Sequence, residues 1–390
     1  MKAALAFLFL CLVSPPLNTS CLAGAPGVLR EGDRFPVNGG TGTLTRLETL
    51  PFVENDYTRR FRFDRWTNPK LKELRKRYGL DRVIAPGRDE FQKQVLLMDW
   101  AHRQFKKFGR PSTGAKGALD ILDGIENGHT FFCSHYVHVM VSSAASLGWV
   151  NRPLALRRHQ GTARVGGSTE HAVTEIWSNQ HRKWVMLDPT SNMYLETNAV
   201  PLNAWEIRQE WFYHNGTNLA FVIAGKRYRK ADLPVVLKRF EGFGDLAVHP
   251  DELDKYGFIG YVPNTDLMDS GEDYAKMFIT KDQLCDGTKW HVRAAPADPA
   301  VDPYFPLGQA SPEVRALDGI ASVTLKTMTP NFKTFEVQLD GGAWKASDER
   351  FAWPLHRGTN QIAARTLNHF GVQGSVSTAE IVLVPEAATQ

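Results

Sequence analysis

The chain is short of cysteine. It has 4 in 390 residues, and two of them, Cys11 and Cys21, fall close to the start. That leaves Cys133 and Cys285, one pair at most, which in a secreted protein is read by default as a disulfide. Long apolar runs are also missing. Beyond the first residues, nothing is long and apolar enough to span a membrane. Charge of one sign is not in excess either. The formal net charge is +4. This argues against a dedicated nucleic-acid binder and leaves acidic substrates open. The apolar fraction of 43% and the charged fraction of 23% are those of a soluble globular protein, long enough for two or three domains.

What is present begins with a leader. Met1-Lys2 is followed by an apolar run to Val13, and Ser14 to Ala23 breaks it. That is the layout of a secretory signal peptide over residues 1–23, with cleavage after Ala23 or Ala25, and it implies a secreted or periplasmic protein. Cys21 raises lipid anchoring as the less favoured alternative, because Asn18-Thr-Ser-Cys21 is a poor lipobox.

The informative stretch surrounds Cys133. From Val137 to Leu147 the residues are apolar or small, as in a buried helix, and Gly148 stops it. Thr130 and Asn127 are candidate N-terminal caps. Cys133 then falls in the first turn, where free N–H groups and the helix dipole favour a thiolate. A nucleophilic cysteine needs a base, and the base needs an orienting group. His171 to Trp177 and Lys183 to Asp188 read as two strands, with the turn composition Ser178 to Arg182 between them. If Asn179 and Gln180 are the loop tip, counting back sets His171 opposite Asp188. Opposed residues share a face, with Cβ atoms roughly 4.5–5.5 Å apart.

These motifs resemble the transglutaminase-like superfamily, whose fold is papain-like. The carrying residues are Cys133, then Leu147-Gly148 through Arg152, then His171-Ala172-Val173-Thr174-Glu175, then Trp184 to Asp188-Pro189. The resemblance spans about Gly114 to Tyr194. It departs from the family pattern at Phe131 (glycine in the family), Val173 (often tryptophan) and Val150 (often proline). These differences bear on the acyl pocket and leave the triad intact. The resemblance implies Cys133 as nucleophile, His171 as proton carrier and Asp188 as orienting group, acting on amide bonds of a protein or peptide substrate, glycan-linked substrates included. Water as acceptor gives a protease or amidase; an amine gives a transglutaminase. Hydrolysis is the expected default. Trp100 is a candidate upstream oxyanion helper. Cys285 is then expected as an unpaired buried thiol.

Around this core the sequence sets further expectations. Pro69 to Gly79 reads as a short helix with a solvated basic face, and Asp89 to Phe108 as a longer one ending in Lys106-Lys107, on which Trp100 and His102 are expected in the core or at the surface, with approach to the site the less favoured alternative. Ala118 to Gly124 is a short helix or turn, and Trp205 to Phe212 an aromatic helix. Val37 to Gly42 reads as a loop. His159 to Ser168 is a glycine-rich loop just before the base, a position that suits substrate binding. No cofactor and no metal is expected: Cys133, His135 and His138 fan around a helix rather than converge. After Cys285, Ala294 to Pro303 reads as a linker or extended connection. Short strands at 321–326, 334–339, 361–366 and 378–384 follow, with glycine-rich turns. They resemble the immunoglobulin-like β-sandwich modules appended to secreted enzymes, and the expected role is a spacer, or docking to a surface or polymer.

The expected fold is thus α+β: a papain-like transglutaminase core with a helical N-terminal extension over residues 24–285, a linker over 286–312, and an all-β sandwich over 313–390. The rival expectations are a catalytically inactive binding or scaffold protein on the same fold, and a metal protein using the histidines near Cys133.

Overall fold

The computed structural model describes residues 27–159, 169–240, 244–273, 276–280 and 298–385. It is a mixed α+β protein with a helical N-terminal region and a C-terminal antiparallel β-sheet region.

The helices are α1 (Pro69–Arg77), α2 (Leu80–Ile84), α3 (Glu90–Gln104), α4 (Ala118–Glu126), α5 (Cys133–Ser146) and α6 (Ala204–Tyr213). Side chains set several of their starts. Asn68 accepts from the Lys70 N–H and Pro69 opens α1. Asp89 caps α3 by accepting from Gln92, and Asn203 and Glu206 form a capping box on α6. The expected run of α3 to Phe108 is cut at Gln104. Phe105 leaves helical geometry and its ring stacks on Tyr136 with centroids 3.5 Å apart. Lys106 and Lys107 therefore lie past the helix end.

Helix α5 is the centre of this region. Its end is the expected one. Gly148 has φ +85°, the Gly148 N–H donates to the Ala145 carbonyl and the Trp149 N–H to the Ala144 carbonyl, the paired bonds of a Schellman stop. A Cβ on Gly148 would sit 2.5 Å from that of Phe370, so space as well as φ demands glycine. Leu71, Leu74, Leu97, Met98, Ile121 and Leu122 from α1, α3 and α4 pack around Val139 and Met140 of α5. The other side of α5 lies on a five-stranded antiparallel sheet, ordered Phe278–Ile279, Phe258–Tyr261, Asn151–Arg157, Glu170–Ser178, Lys183–Leu187. Ile176, Val185 and Leu187 join the helical core.

The C-terminal region has two antiparallel sheets around one apolar core. The smaller is ordered Ser311–Leu317, Ile320–Lys326, Arg350–Trp353. The larger has six strands, and two of them come from the other end of the chain. Arg34–Val37 and Gly40–Glu48 form a hairpin whose second strand pairs along Ser377–Pro385. The segment read as a loop, Val37 to Gly42, is mostly strand: only Asn38-Gly39 form the turn, and Val37 pairs with Gly40 while Thr41 and Gly42 pair with Pro36 and Phe35. Phe35 and Leu44 pack with Val323, Trp353 and Ile381.

The expected linker, residues 286–312, is largely exposed from Asp298 to Val301 and mostly buried from Pro303 onward. Phe305 and Leu307 pack with Trp177 and Trp184 behind the five-stranded sheet. The strand Ser311–Leu317 starts immediately afterwards. The two regions also meet directly: Asn368 donates to the Gly148 carbonyl at 2.9 Å, and Trp66 stacks on His369 at 4.2 Å.

Candidate active site

Cys133 is the first residue of α5. Neither expected cap operates. Asn127 ends α4, and the Thr130 hydroxyl donates to the Arg110 carbonyl. The chain enters α5 from an extended bridge between Phe131 and Phe108, so Phe132 takes the capping position without a side-chain hydrogen bond. The first-turn N–H groups beside Cys133 thus have no capping side chain. Cys133 is a half-buried free thiol, packed beside Ala172, Val137, Val141 and Leu267. Cys285 lies outside the described residues, as do Cys11 and Cys21.

Ala172 is the neighbour of His171. The His171 Nε2 is 2.9 Å from Asp188 Oδ2, and the Cys133 side chain lies close enough to act on the same imidazole. Since Asp188 takes Nε2, Nδ1 is the ring nitrogen left for the cysteine. The register behind this contact is not the expected one. Ser178 pairs with Lys183, and Asn179 to Arg182 form a four-residue loop, with Arg182 at φ +53°. Thr174 faces Leu187, and Asp188 lies just past the strand, bridged to Met193. The pairing has slipped by two residues. An even slip preserves the alternation of faces, so His171 and Asp188 still meet, diagonally.

Asp188 is fully engaged. Its Oδ1 accepts from the N–H groups of Thr190 at 2.9 Å and Ser191 at 3.0 Å. Burial alone would raise its carboxyl. The His171 charge and hydrogen bond and the Ser191 donors outweigh that and hold it below the usual carboxylate range. Burial opposes the imidazolium as well, but the charges and hydrogen bonds of Asp188 and Cys133 push His171 up to about 10. At neutral pH the pair is imidazolium and carboxylate, with the Cys133 side chain beside the imidazolium.

The remaining motif residues play a structural part. Arg152 and Glu175 form an ion pair at 2.5 Å with both side chains fully buried. The second Glu175 oxygen accepts from the Ala204 N–H and the Tyr304 hydroxyl, and the guanidinium lies 4.1 Å over Trp184. The pair ties two strands of the sheet to the start of α6 and to the buried segment near 304.

Trp100 is a core residue, its ring edge-on to Tyr78. The residue on α3 that reaches the site is His102, whose Nδ1 bonds the carbonyls of Thr190 at 3.0 Å and Pro189 at 3.3 Å. It braces the turn that presents Asp188. Tyr136 was not foreseen. It stands one helical turn after Cys133 with a buried hydroxyl that has no hydrogen-bond partner among the described residues. Helical spacing from the cysteine was the available signal.

Among the described residues no three His, Cys, Asp or Glu side chains are grouped to hold a metal ion. His138 instead pairs with Glu272 at 3.0 Å, both nearly buried, and bonds the Lys116 carbonyl. His135 is pushed down to about 4, first by burial and then by the His138 charge. Of the loop expected to bind substrate, residues 160–168 lie outside the described residues; at its flanks Arg158 donates to the Thr169 carbonyl and His159 to the Asp254 carbonyl.

Compared with known proteins, the chain matches no family model and no curated protein.

Proposed function

We propose that this protein is a secreted, thiol-dependent acyl-transfer enzyme of the transglutaminase-like, papain-like kind, carrying an immunoglobulin-like β-sandwich. The observation that carries this reading is the continuous chain Cys133 sulfur, His171, Asp188, with the cysteine at an uncapped helix start and both Asp188 oxygens occupied. Export rests on the sequence alone.

The chemistry follows from the charges. The Cys133 thiolate attacks the carbonyl carbon of an amide, and the C=O electron pair moves to oxygen. The Cys133 N–H, free at the helix start, stabilises that oxyanion. The His171 imidazolium gives its proton to the departing nitrogen as the C–N bond breaks, leaving a thioester and a neutral imidazole. The imidazole then takes a proton from water, whose oxygen attacks the thioester, and the thiolate leaves. Asp188 keeps the ring in one orientation throughout and stabilises its cationic form. An amine in place of water gives transamidation. Water is the default acceptor.

The reading as an inactive binding protein drew on Phe131 and Val173. Both are fully buried, Phe131 against Phe105 and His135 and Val173 in the core behind the sheet. Neither side chain is exposed, so neither departure supports the inactive reading by itself.

The test is to incubate wild type and Cys133→Ala with glutamine-containing peptides, with and without methylamine, and to follow both peptide and protein by mass spectrometry. An acyl adduct on Cys133 and turnover absent from the variant are expected. Peptide products that are the same with the variant, with no adduct on the wild type, would refute the proposal.

A further inference from the structure

The solvent face of the six-stranded C-terminal sheet carries a cleft of about 420 Å³, far in sequence from Cys133 and unused by the acyl-transfer chemistry. Its floor is the middle of the sheet, with the small side chain of Ala363 at the base. Trp344, from the turn after the strand Phe332–Leu339, forms a wall, and Gln338, Gln361 and Glu380 stand around it.

These groups are held in place. Trp344 is half-buried, with the Arg365 guanidinium 4.2 Å over its ring, and Arg365 is itself fixed by Glu336 at 2.7 Å. Gln338 donates to the Gly342 carbonyl at 2.6 Å. Gln361 donates to Glu380 at 3.0 Å, and the other Glu380 oxygen accepts from the Thr45 hydroxyl at 2.8 Å. The N-terminal hairpin thus helps build the site. Each amide still has a carbonyl oxygen and a second N–H to offer, and the carboxylate has spare lone pairs.

The chemistry selects the ligand. A peptide added as a strand needs a sheet edge, whereas the backbone groups beneath this cleft are already used in the ladders on both sides. A polyanion would meet the Glu380 carboxylate in the cleft, while Arg46 at the rim is paired with Glu48. A wholly apolar ligand would desolvate two amides and a carboxylate without partners. A pyranose ring has one face of C–H groups and an equator of hydroxyls. It can lie on the indole while hydroxyls pair with the planar amides and the carboxylate. We propose that this cleft binds a neutral saccharide chain and so holds the enzyme on a glycan-bearing surface or polymer.

The test is calorimetric titration of the full chain with cellohexaose, laminarihexaose and chitohexaose. Saturable binding of at least one is expected, with a Kd between about 10 μM and 1 mM. Trp344→Ala should weaken it at least tenfold. Ala363→Trp, which fills the base of the cleft, should abolish it, and Cys133→Ala should leave it unchanged. Thermal unfolding checks that each variant is folded; Gln361→Ala stands in for any that is not, with a loss of severalfold expected. No saturable binding of any probe up to about 10 mM, or binding unaffected by the folded cleft variants, overturns the proposal.

Discussion

In the helical region, charges are buried in pairs: Arg152 with Glu175, His171 with Asp188, His138 with Glu272. In the C-terminal sheets the core is apolar, from Val323, Trp353, Ile381 and their neighbours, and ion pairs such as Arg365–Glu336 stay partly in water. Among the described residues, the buried Arg, Lys, Asp and Glu side chains run from Asp64 to Glu272. Polar groups buried in the sheets are neutral, such as Asn360 and Thr366. A buried charge pair does not by itself favour folding over an apolar packing of the same volume, because desolvation offsets the attraction. The difference therefore points to where geometry matters more than stability. The sheets need only alternating apolar faces. On the proposed acyl-transfer reading, the region around α5 has to fix an imidazole, a carboxylate and a thiol against one another.

The largest effect expected is on chemistry. Cys133→Ala should lower turnover of an amide substrate by at least about a thousandfold and leave the unfolding midpoint where it was. Residual activity near wild type would remove the reason for the buried charges. Next comes stability. Glu175→Ala strands the Arg152 guanidinium in the core and should cost about 3–5 kcal/mol in urea unfolding. The matching change in the sheets, Glu336→Ala, should cost under about 1 kcal/mol. Equal losses would break the contrast between the regions.

A pH scan sharpens it further. The folded His171 is raised above its unfolded value, so its stabilisation is fully present below the ordinary histidine value of about 6.5 and is lost as pH rises through about 10. Wild type should lose more stability across that window than Asp188→Asn, measured by urea unfolding at each pH. Parallel curves would refute the coupling. The smallest effect belongs to His102→Leu, which frees the Pro189–Thr190 turn. About a tenfold fall in kcat with KM unchanged is expected, corresponding to about 1.4 kcal/mol, and a change in KM alone would contradict the bracing role.

Much of the candidate site was legible because it depends on short-range periodicity. An apolar run ended by Gly148 marked α5, and two β-rich runs marked the hairpin. The register was missed because Arg182 adopts positive φ and the loop holds four residues rather than two. The His171–Asp188 contact survived since the error was even. His102 was legible only as one residue of its helix that could approach the site; its bracing contacts were not, because its carbonyl partners lie 87 and 88 positions away. The hairpin of residues 34–48 had a local signal, Asn38-Gly39 between strand-like runs. Its pairing with Ser377–Pro385 had none, since nothing local records which distant edge a strand will fill. The burial of Phe305 and Leu307 was hidden by proline-rich composition just upstream.

The most direct test of the central claim is the pH dependence of Cys133 alkylation by iodoacetamide, read by peptide mass spectrometry in wild type and His171→Ala. Rapid labelling of wild type already at about pH 6, lost in the variant until about pH 8.5, is the predicted result. Labelling of both proteins only near about pH 8.5, with the same profile, would contradict the account.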